Sequence, residues 1–395
     1  MDTKTKKMMN KVPQITVFFW VIKILCTTVG ETFADFINFN IGLGLTVTTL
    51  IMGIALIIAL IFQFKTNRYR PLIYWITVVL LSVFGTLVTD NLTDNLSVPL
   101  EVSTIVFLIL LGLTFLLWYI SEKTLSIHSV FTLKREIFYW LTILFTFALG
   151  TAVGDLYSEQ LGLGYLYTGI GVTLIIAAIY IAYKYFKLNS ILAFWMAYIL
   201  TRPLGASLGD LLSQPKTNGG LGFGTTITSI IFLVAILGII IYLATSKIDR
   251  VESTNIATIT INSQQQKRVL FQTIIVLAVS LALGVGGYTV RMHSIHQANH
   301  KVSFKSEMKQ FATIELAIND AAKKQDFKLV NKKADQLERD WDKQEPKLRS
   351  LDSKQWTQVD VTIDGVLSAA RDSQSSTAKI ANAVKQSQDV IHSLN

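Results

Sequence analysis

The sequence has a single cysteine, Cys26, and only six prolines among its 395 residues. One cysteine excludes both an intramolecular disulfide framework and a cysteine metal cluster. Charge is also scarce, because Asp, Glu, Lys and Arg make up 16% of the chain, against roughly 25% in an average soluble domain. We find no phosphate-binding glycine-rich loop, no metalloprotease helix pair and no serine or cysteine nucleophile motif. We therefore expect neither enzymatic activity nor a resident cofactor.

Where charge is missing, the chain carries long apolar runs, such as 50–62 and 102–119. A helix needs about 20 apolar residues to cross the hydrocarbon core. On that scale the sequence predicts an all-α, polytopic membrane protein with about nine transmembrane helices, at 14–36, 42–64, 71–91, 101–120, 136–157, 163–186, 189–211, 223–245 and 268–290. We do not interpret the basic N-terminus as part of a signal peptide, because Lys23 interrupts the apolar stretch and no small-residue cleavage site precedes Glu31.

The loops between the spans differ in charge. Lys and Arg concentrate before the first span and in every second loop, whereas the alternate loops contain only Lys216. The positive-inside rule then places the N-terminus in the cytoplasm. The predicted organisation is a cytoplasmic N-terminus (1–13), a transmembrane domain (14–246), a cytoplasmic linker (247–267), a ninth transmembrane helix (268–290) and an extracytoplasmic helical domain (291–395). Topology thus accounts for the net charge of +9, and the expected partner is the lipid bilayer rather than nucleic acid.

A motif recurs at the ends of the odd-numbered spans, where a carboxylate follows a small residue. It reads Gly30-Glu31, Thr89-Asp90, Gly154-Asp155 and Gly209-Asp210. A short link, usually containing glycine, leads from each motif to an even-numbered span. The repetition predicts four parallel helical hairpins plus one further helix, and transporters usually bind substrate where such repeats meet.

This pattern resembles a family of largely uncharacterised bacterial repeat membrane proteins, described as membrane-anchored. The resemblance covers about residues 12–246 and rests on the Gly-Glu and Gly-Asp motifs, from which Thr89-Asp90 departs. It implies a bacterial plasma membrane and supplies no substrate.

Carboxylates at matched repeat positions are the leading candidates for an ion-binding ring. The ring comprises Glu31, Asp90, Asp155 and Asp210. One helical turn earlier, on the same face, come the hydroxyls of Thr27, Thr86 and Thr151, and one turn later the secondary acids Asp35, Asp94 and Glu159, which we expect to be better solvated. An ionisable residue inside a bilayer costs at least ~2.5–3.5 kcal/mol and is a functional candidate for that reason. The alternative is that these acids lie at the outer interface and only obey topology.

Two cations lie deeper, near the middle of their spans. Lys23 and Arg202 occupy equivalent positions in the first and fourth repeats, and each is expected to have a carboxylate partner. They are candidate gating residues or counter-ions that a substrate cation displaces, and the alternative is a structural ion pair between repeats. Outside the ninth span, His293, His296 and His300 share one helix face and form a candidate metal site, although three histidines on one helix cannot easily ligate one ion.

Residues 292–395 have the periodicity of helices, which we place at 303–324, 326–344, 353–372 and 375–393, packed as a bundle.

Taken together, the sequence predicts a secondary transporter or exporter of a small cation, with a divalent metal ion among the candidate substrates and the carboxylate ring as its binding site. The alternative is a non-transporting envelope protein whose membrane helices anchor an external helical bundle that binds a partner or the cell wall. That alternative implies an extracytoplasmic protein partner or a homo-oligomer.

Overall fold

The computed structural model describes residues 10–37, 43–96, 98–216, 219–249, 263–299, 303–372 and 376–394, and these segments are helical with no β-strand. Nine helices within them are long and apolar enough to cross a membrane, as the sequence predicted. They are α1 (Val17–Asp35), α2 (Leu45–Lys65), α3 (Pro71–Asp90), α4 (Leu100–Glu122), α5 (Leu133–Asp155), α6 (Tyr165–Tyr185), α7 (Ser190–Ser213), α8 (Thr225–Ser246) and α9 (Ser263–Asn299). Two π-helical turns, Asn91–Asn95 and Leu156–Gln160, continue α3 and α5.

The odd-numbered helices α1, α3, α5 and α7 form a closed inner ring, in which α1 and α5 each pack against both α3 and α7. The apolar windows of these four helices are 56–67% buried, whereas those of α2, α4, α6 and α8 are 11–28% buried and that of α9 is 0% buried. The even-numbered helices and α9 therefore present most of their apolar surface outward, as helices in contact with lipid do.

Each even-numbered helix covers the next repeat rather than its own. Helix α2 packs on α3, α4 on α5, α6 on α7, and α8 returns to α1. The predicted hairpin describes the chain connection correctly, but it is wrong as a unit of packing among the described helices. The last outer helix closes the ring, because α8 packs mainly against α1, with smaller contacts to α3 and α7.

Glycines make the ring tight enough to close. An added Cβ atom would lie within 3 Å of a side-chain atom of the neighbouring inner helix at one glycine in each repeat, with Gly30 against Ser82, Gly85 against Phe147, Gly150 against Arg202, and Gly205 against Thr27. The four contacts follow the ring in order, from α1 to α3, α5, α7 and back to α1. Small residues at membrane helix interfaces allow this close approach of backbones.

Packed aromatic side chains fill the ring at the end where α1, α3, α5 and α7 begin. Buried Tyr and Trp rings dominate this layer, including Tyr74, Trp75, Tyr139, Trp195 and Tyr198. The segment that precedes α1 is tied to the same end, since Lys11 Nζ forms a 2.6 Å ion pair with Glu136. This end of the ring is therefore closed.

The C-terminal part forms a four-helix bundle of α10 (Phe304–Lys323), α11 (Phe327–Leu351), α12 (Ser353–Arg371) and α13 (Thr377–Ser393), with its own hydrophobic core. The bundle follows the predicted periodicity with one correction. The second helix was predicted to end at 344, ahead of Pro346, but α11 runs through that proline to Leu351. The side of the membrane on which the bundle lies stays a prediction.

Candidate functional site

The four motif acids converge where the inner helices end. The carboxylates of Asp90, Asp155 and Asp210 each interact electrostatically with that of Glu31. Glu31 and Asp210 are buried, and Asp90 and Asp155 are half-buried. Because the four helices are parallel, the repeat motif brings one carboxylate from each to the same end of the ring.

The secondary acids lie in the same space. Asp35 interacts electrostatically with Glu31 and Asp94, and Glu159 interacts with Asp155. All three secondary acids are half-buried. Asp35 is more exposed than the buried Glu31, whereas Asp94 and Glu159 are half-buried like Asp90 and Asp155. Asp94 and Glu159 lie on the two π-helical turns, a local widening that is frequent at functional sites. We call this cluster of seven carboxylates the acid chamber.

Arg202 forms the floor of the acid chamber. Its side chain is fully buried, and Nη2 donates hydrogen bonds to Glu31 Oε2 at 2.5 Å, to Thr151 Oγ1 at 2.7 Å and to Thr86 Oγ1. Nη1 donates a longer one, 3.5 Å, to the carbonyl of Thr27. One guanidinium from the fourth repeat thus joins the other three repeats, and Arg202 has the carboxylate partner that the sequence predicted.

The three predicted threonines all contact Arg202. Thr86 and Thr151 accept from Arg202 while their own hydroxyls donate to backbone carbonyls one turn back. The hydroxyl of Thr27 donates to the carbonyls of Ile24 and Thr201, at 2.6 and 3.1 Å. In this arrangement the threonine oxygens bind the guanidinium and join neighbouring helices, and their predicted role as ion ligands stays a prediction.

Lys23 lies in the ring, and no described carboxylate pairs with it. Its side chain is fully buried, and within the described residues its Nζ has no hydrogen-bond partner. The nitrogen lies 3.7 Å from the centre of the Phe147 ring and 4.2 Å from that of Tyr198. The predicted carboxylate partner is therefore wrong for this residue. Arg202 engages Glu31, and the two aromatic faces provide cation–π attraction instead.

The bundle forms the roof of the acid chamber. Helix α11 contacts the π-helical turn Leu156–Gln160, and α12 contacts Asn91–Asn95. Arg349 on α11 lies at this junction, where its guanidinium forms a 2.9 Å ion pair with Glu345 and stacks 3.7 Å from the ring of Trp356.

Charged side chains of the bundle interact electrostatically with carboxylates of the acid chamber. Burial alone would lower the pKa of Arg349, yet the nearby carboxylates, Asp94 and Glu159 among them, raise it above its ordinary value. Burial, reinforced by the charge of Asp94, raises the pKa of Asp364 on α12 to about 7. No sequence pattern singled out Arg349, because charges of both signs alternate along the bundle, and a predicted break at Pro346 separated this residue from its helix.

No group of three or more His, Cys, Asp or Glu side chains in the described part of the chain is arranged to hold a metal ion. The motif acids therefore share a space without meeting at one point. Of the candidate histidines, His293 is exposed on α9. The side chain of His296, and His300 altogether, lie outside the described residues, so the metal site predicted there stays a prediction.

One family model matches the chain four times, at residues 18–69, 73–124, 138–188 and 193–249, and its description is Repeat of Unknown Function (DUF347). The chain belongs to this repeat family. Each DUF347 repeat contains one inner and one outer helix, so the motif acids are equivalent residues of four copies of one unit, as the repeated motif indicated. The chain matches no curated protein and no solved structure.

Proposed function

We propose that the protein is a secondary transporter or exporter of a small cation in a bacterial plasma membrane, with the acid chamber as its binding site. The observation that carries the proposal is the charge balance of that space. Seven carboxylates from four repeats cluster there, and among the described residues the guanidinium groups of Arg202 and Arg349 interact with them. Two of these carboxylates are buried and five are half-buried, and carboxylates crowded together out of bulk water disfavour one another's charge. The acid chamber is therefore more stable when it takes up protons or cations. Reversible uptake of this kind is the chemistry of proton-coupled cation transport.

The positive-inside rule supports a direction for access. It places the acid chamber and the bundle on the extracytoplasmic side and the closed aromatic layer on the cytoplasmic side. The conformation described here then corresponds to a state closed toward the cytoplasm. Transport by alternating access would require the inner helices to separate at the aromatic layer, with the site fixed where the repeats meet.

The chemical class of the cation is constrained by the spacing of the acids. Because no three of them are arranged as a metal site among the described residues, a divalent metal would have to draw the carboxylates together on binding. Carboxylate oxygens are suitable ligands for a hard cation, and the same groups exchange protons without rearrangement. We therefore place proton exchange at the centre of the mechanism and a metal ion among the candidate substrates.

The test compares cells that lack the protein with cells that overproduce it, by elemental analysis of cell content and by proton flux in proteoliposomes. We expect overproduction to change one of these quantities, and Asp155→Asn and Asp210→Asn to abolish the change. Asp389→Asn, which removes an exposed carboxylate of the bundle, is the matched control and should behave as the unmodified protein. Unchanged cation content and proton flux in the two folded chamber variants would overturn the proposal.

The bundle supports a second candidate function, that of an envelope protein that does not transport. The observation in its favour is that α10–α13 have a hydrophobic core of their own, as a domain that binds a partner would. On this alternative Asp155→Asn and Asp210→Asn are silent, and deletion of 303–394 removes all activity. The two functions thus predict opposite results for the same two substitutions.

A further inference from the structure

A cavity of about 410 Å³ lies where α2 ends and α3 begins, at the end of the ring opposite the acid chamber. Three cations line it, Lys65, Arg68 and Arg70, together with the apolar side chains of Phe62 and Ile73. The proposed function uses none of these residues, and the cavity is independent of it.

The three cations have no acidic partner among the described residues. The comparable basic loop between α4 and α5 behaves differently, since Lys134 and Arg135 both pair with Glu122, at 3.6 and 2.8 Å. Topology explains why both loops are basic, but it does not explain why one of them surrounds a cavity with positive charges that no described carboxylate pairs with.

The loop that carries these cations is anchored from behind. The backbone N–H and the hydroxyl of Thr66 both donate to the carbonyl of Gln63, at 3.1 and 2.7 Å. The backbone N–H of Tyr69 donates to the carbonyl of Asn10 at 3.2 Å, and its hydroxyl donates to Asp249 Oδ2 at 2.6 Å. Burial, and then the charge of Asp249, raise the pKa of Tyr69, which therefore stays a neutral donor.

This anchoring sets the direction of the cations. Thr66 and Tyr69 are buried, whereas Lys65, Arg68 and Arg70 are exposed, so the inward side of the loop is fixed and its outward side carries the charge. The cavity is preorganised, and binding an anion there requires little ordering of the backbone.

The wall of the cavity on the membrane side is apolar. Phe62 is 59% exposed and Leu72, next to the cavity, is 49% exposed. Both lie at the ends of apolar helices, where we expect a lipid headgroup to meet its acyl chains. Basic pockets between transmembrane helices attract anionic lipid headgroups, and each Lys or Arg near the membrane surface contributes about 1 kcal/mol, a factor of about five. A soluble phosphate would gain the same charge attraction but would leave the apolar wall uncovered.

We propose that the cavity formed by Lys65, Arg68, Arg70, Phe62 and Ile73 binds the phosphate headgroup of an anionic phospholipid, whose acyl chain lies along α2. The lipid would connect the end of α2 to the start of α3, and so one repeat to the next.

The experiment uses the purified full-length protein in nanodiscs and in detergent, with phosphatidylglycerol as the anionic lipid and phosphatidylcholine as the neutral one. Native mass spectrometry counts bound lipid, and thermal unfolding reports stabilisation. We expect phosphatidylglycerol to bind and to raise the melting temperature, and Arg68→Gln/Arg70→Gln to weaken binding on the order of 30-fold, from two cations at about fivefold each. Arg68→Gln alone, with about a fivefold loss, keeps the test available if the double variant expresses poorly.

The control removes the same charge elsewhere. Lys123→Asn/Lys187→Asn deletes two exposed cations from other loops at this end of the ring and should leave phosphatidylglycerol binding unchanged. An equal loss of binding in this control and in Arg68→Gln/Arg70→Gln would reduce the effect to net charge and overturn the site. Stabilisation by inorganic phosphate equal to that by phosphatidylglycerol would overturn the assignment to a lipid.

Discussion

Arg202 and Glu31 form an ion pair that should dominate the stability of the inner ring. Replacing Arg202 by Met leaves the Glu31 carboxylate buried without its partner, and breaking a buried pair from one side costs about 3–5 kcal/mol. Thr86 and Thr151 lose a donor but keep their hydrogen bonds to backbone carbonyls, so they add little to this cost. Replacing both partners, with Glu31→Gln in the Arg202→Met background, should recover most of the loss, because residue 31 then carries no charge that lacks its partner.

The measurement is equilibrium unfolding in detergent, followed by circular dichroism, for the two single variants and the double variant. We expect a coupling free energy of about 2–4 kcal/mol, with the double variant more stable than Arg202→Met alone. Arg135→Met is the control. It breaks a pair with Glu122 in which both side chains are partly exposed, 18% and 15%, and should cost less than about 1 kcal/mol. A double variant no more stable than Arg202→Met would refute the ion pair as the source of the effect.

Three further predictions concern single residues. Lys23→Met should raise the free energy of unfolding by about 1–3 kcal/mol, since it removes a buried amine that has no hydrogen-bond partner in the described residues; a loss of stability would mean that the contacts with Phe147 and Tyr198 outweigh the cost of burying the amine. Gly205→Ala should destabilise the ring, because the new methyl group would meet the hydroxyl of Thr27. Gly112→Ala is the control: residue 112 has open space around it, so this change should stabilise α4 by about 0.5–1 kcal/mol. Equal effects of the two substitutions on thermal unfolding would contradict the close approach of α7 and α1. Burial raises the pKa of Glu315 from 4.5 to about 7, so the folded bundle binds a proton that the unfolded chain releases in this window. Bundle stability should fall as pH rises from about 4.5 to 7, and Glu315→Gln should remove this component, worth up to about 3 kcal/mol near pH 8; an unchanged pH profile would contradict the shift.

The spans and repeats were predictable because composition alone identifies apolar helices and because the motif recurs at matched positions. The packing of the repeats was not predictable in the same way. The contacts of Gly30 and Gly150 lie on the following repeat, and a sequence reports which residues are small or apolar without reporting which neighbour they meet. The hairpin that follows from connectivity was therefore the wrong unit of packing.

Some features of the candidate site were likewise predictable from the sequence, and others were not. The convergence of Glu31 and Asp210 follows from parallel repeats and could be predicted from spacing. The aromatic surroundings of Lys23 could not, because Phe147 and Tyr198 come from the third and fourth repeats and carry no motif of their own. Arg349 was missed because its approach to Asp94 depends on how two domains dock, which no local pattern encodes.

The return of α8 to α1 has a consequence for how the chain is made. Glu31 and Arg202 are 171 residues apart, and synthesis proceeds at about 5–20 residues per second. Arg202 is therefore synthesised on the order of 10–30 s after Glu31, and the ion pair cannot form before then. During that interval α1 carries a carboxylate and an amine, and the side of α1 that will pack against α7 and α8 is uncovered. A ribosome that stops before the fourth repeat releases a chain with this flank still open, and such a chain offers membrane proteases and insertases a feature by which to distinguish it from a finished one.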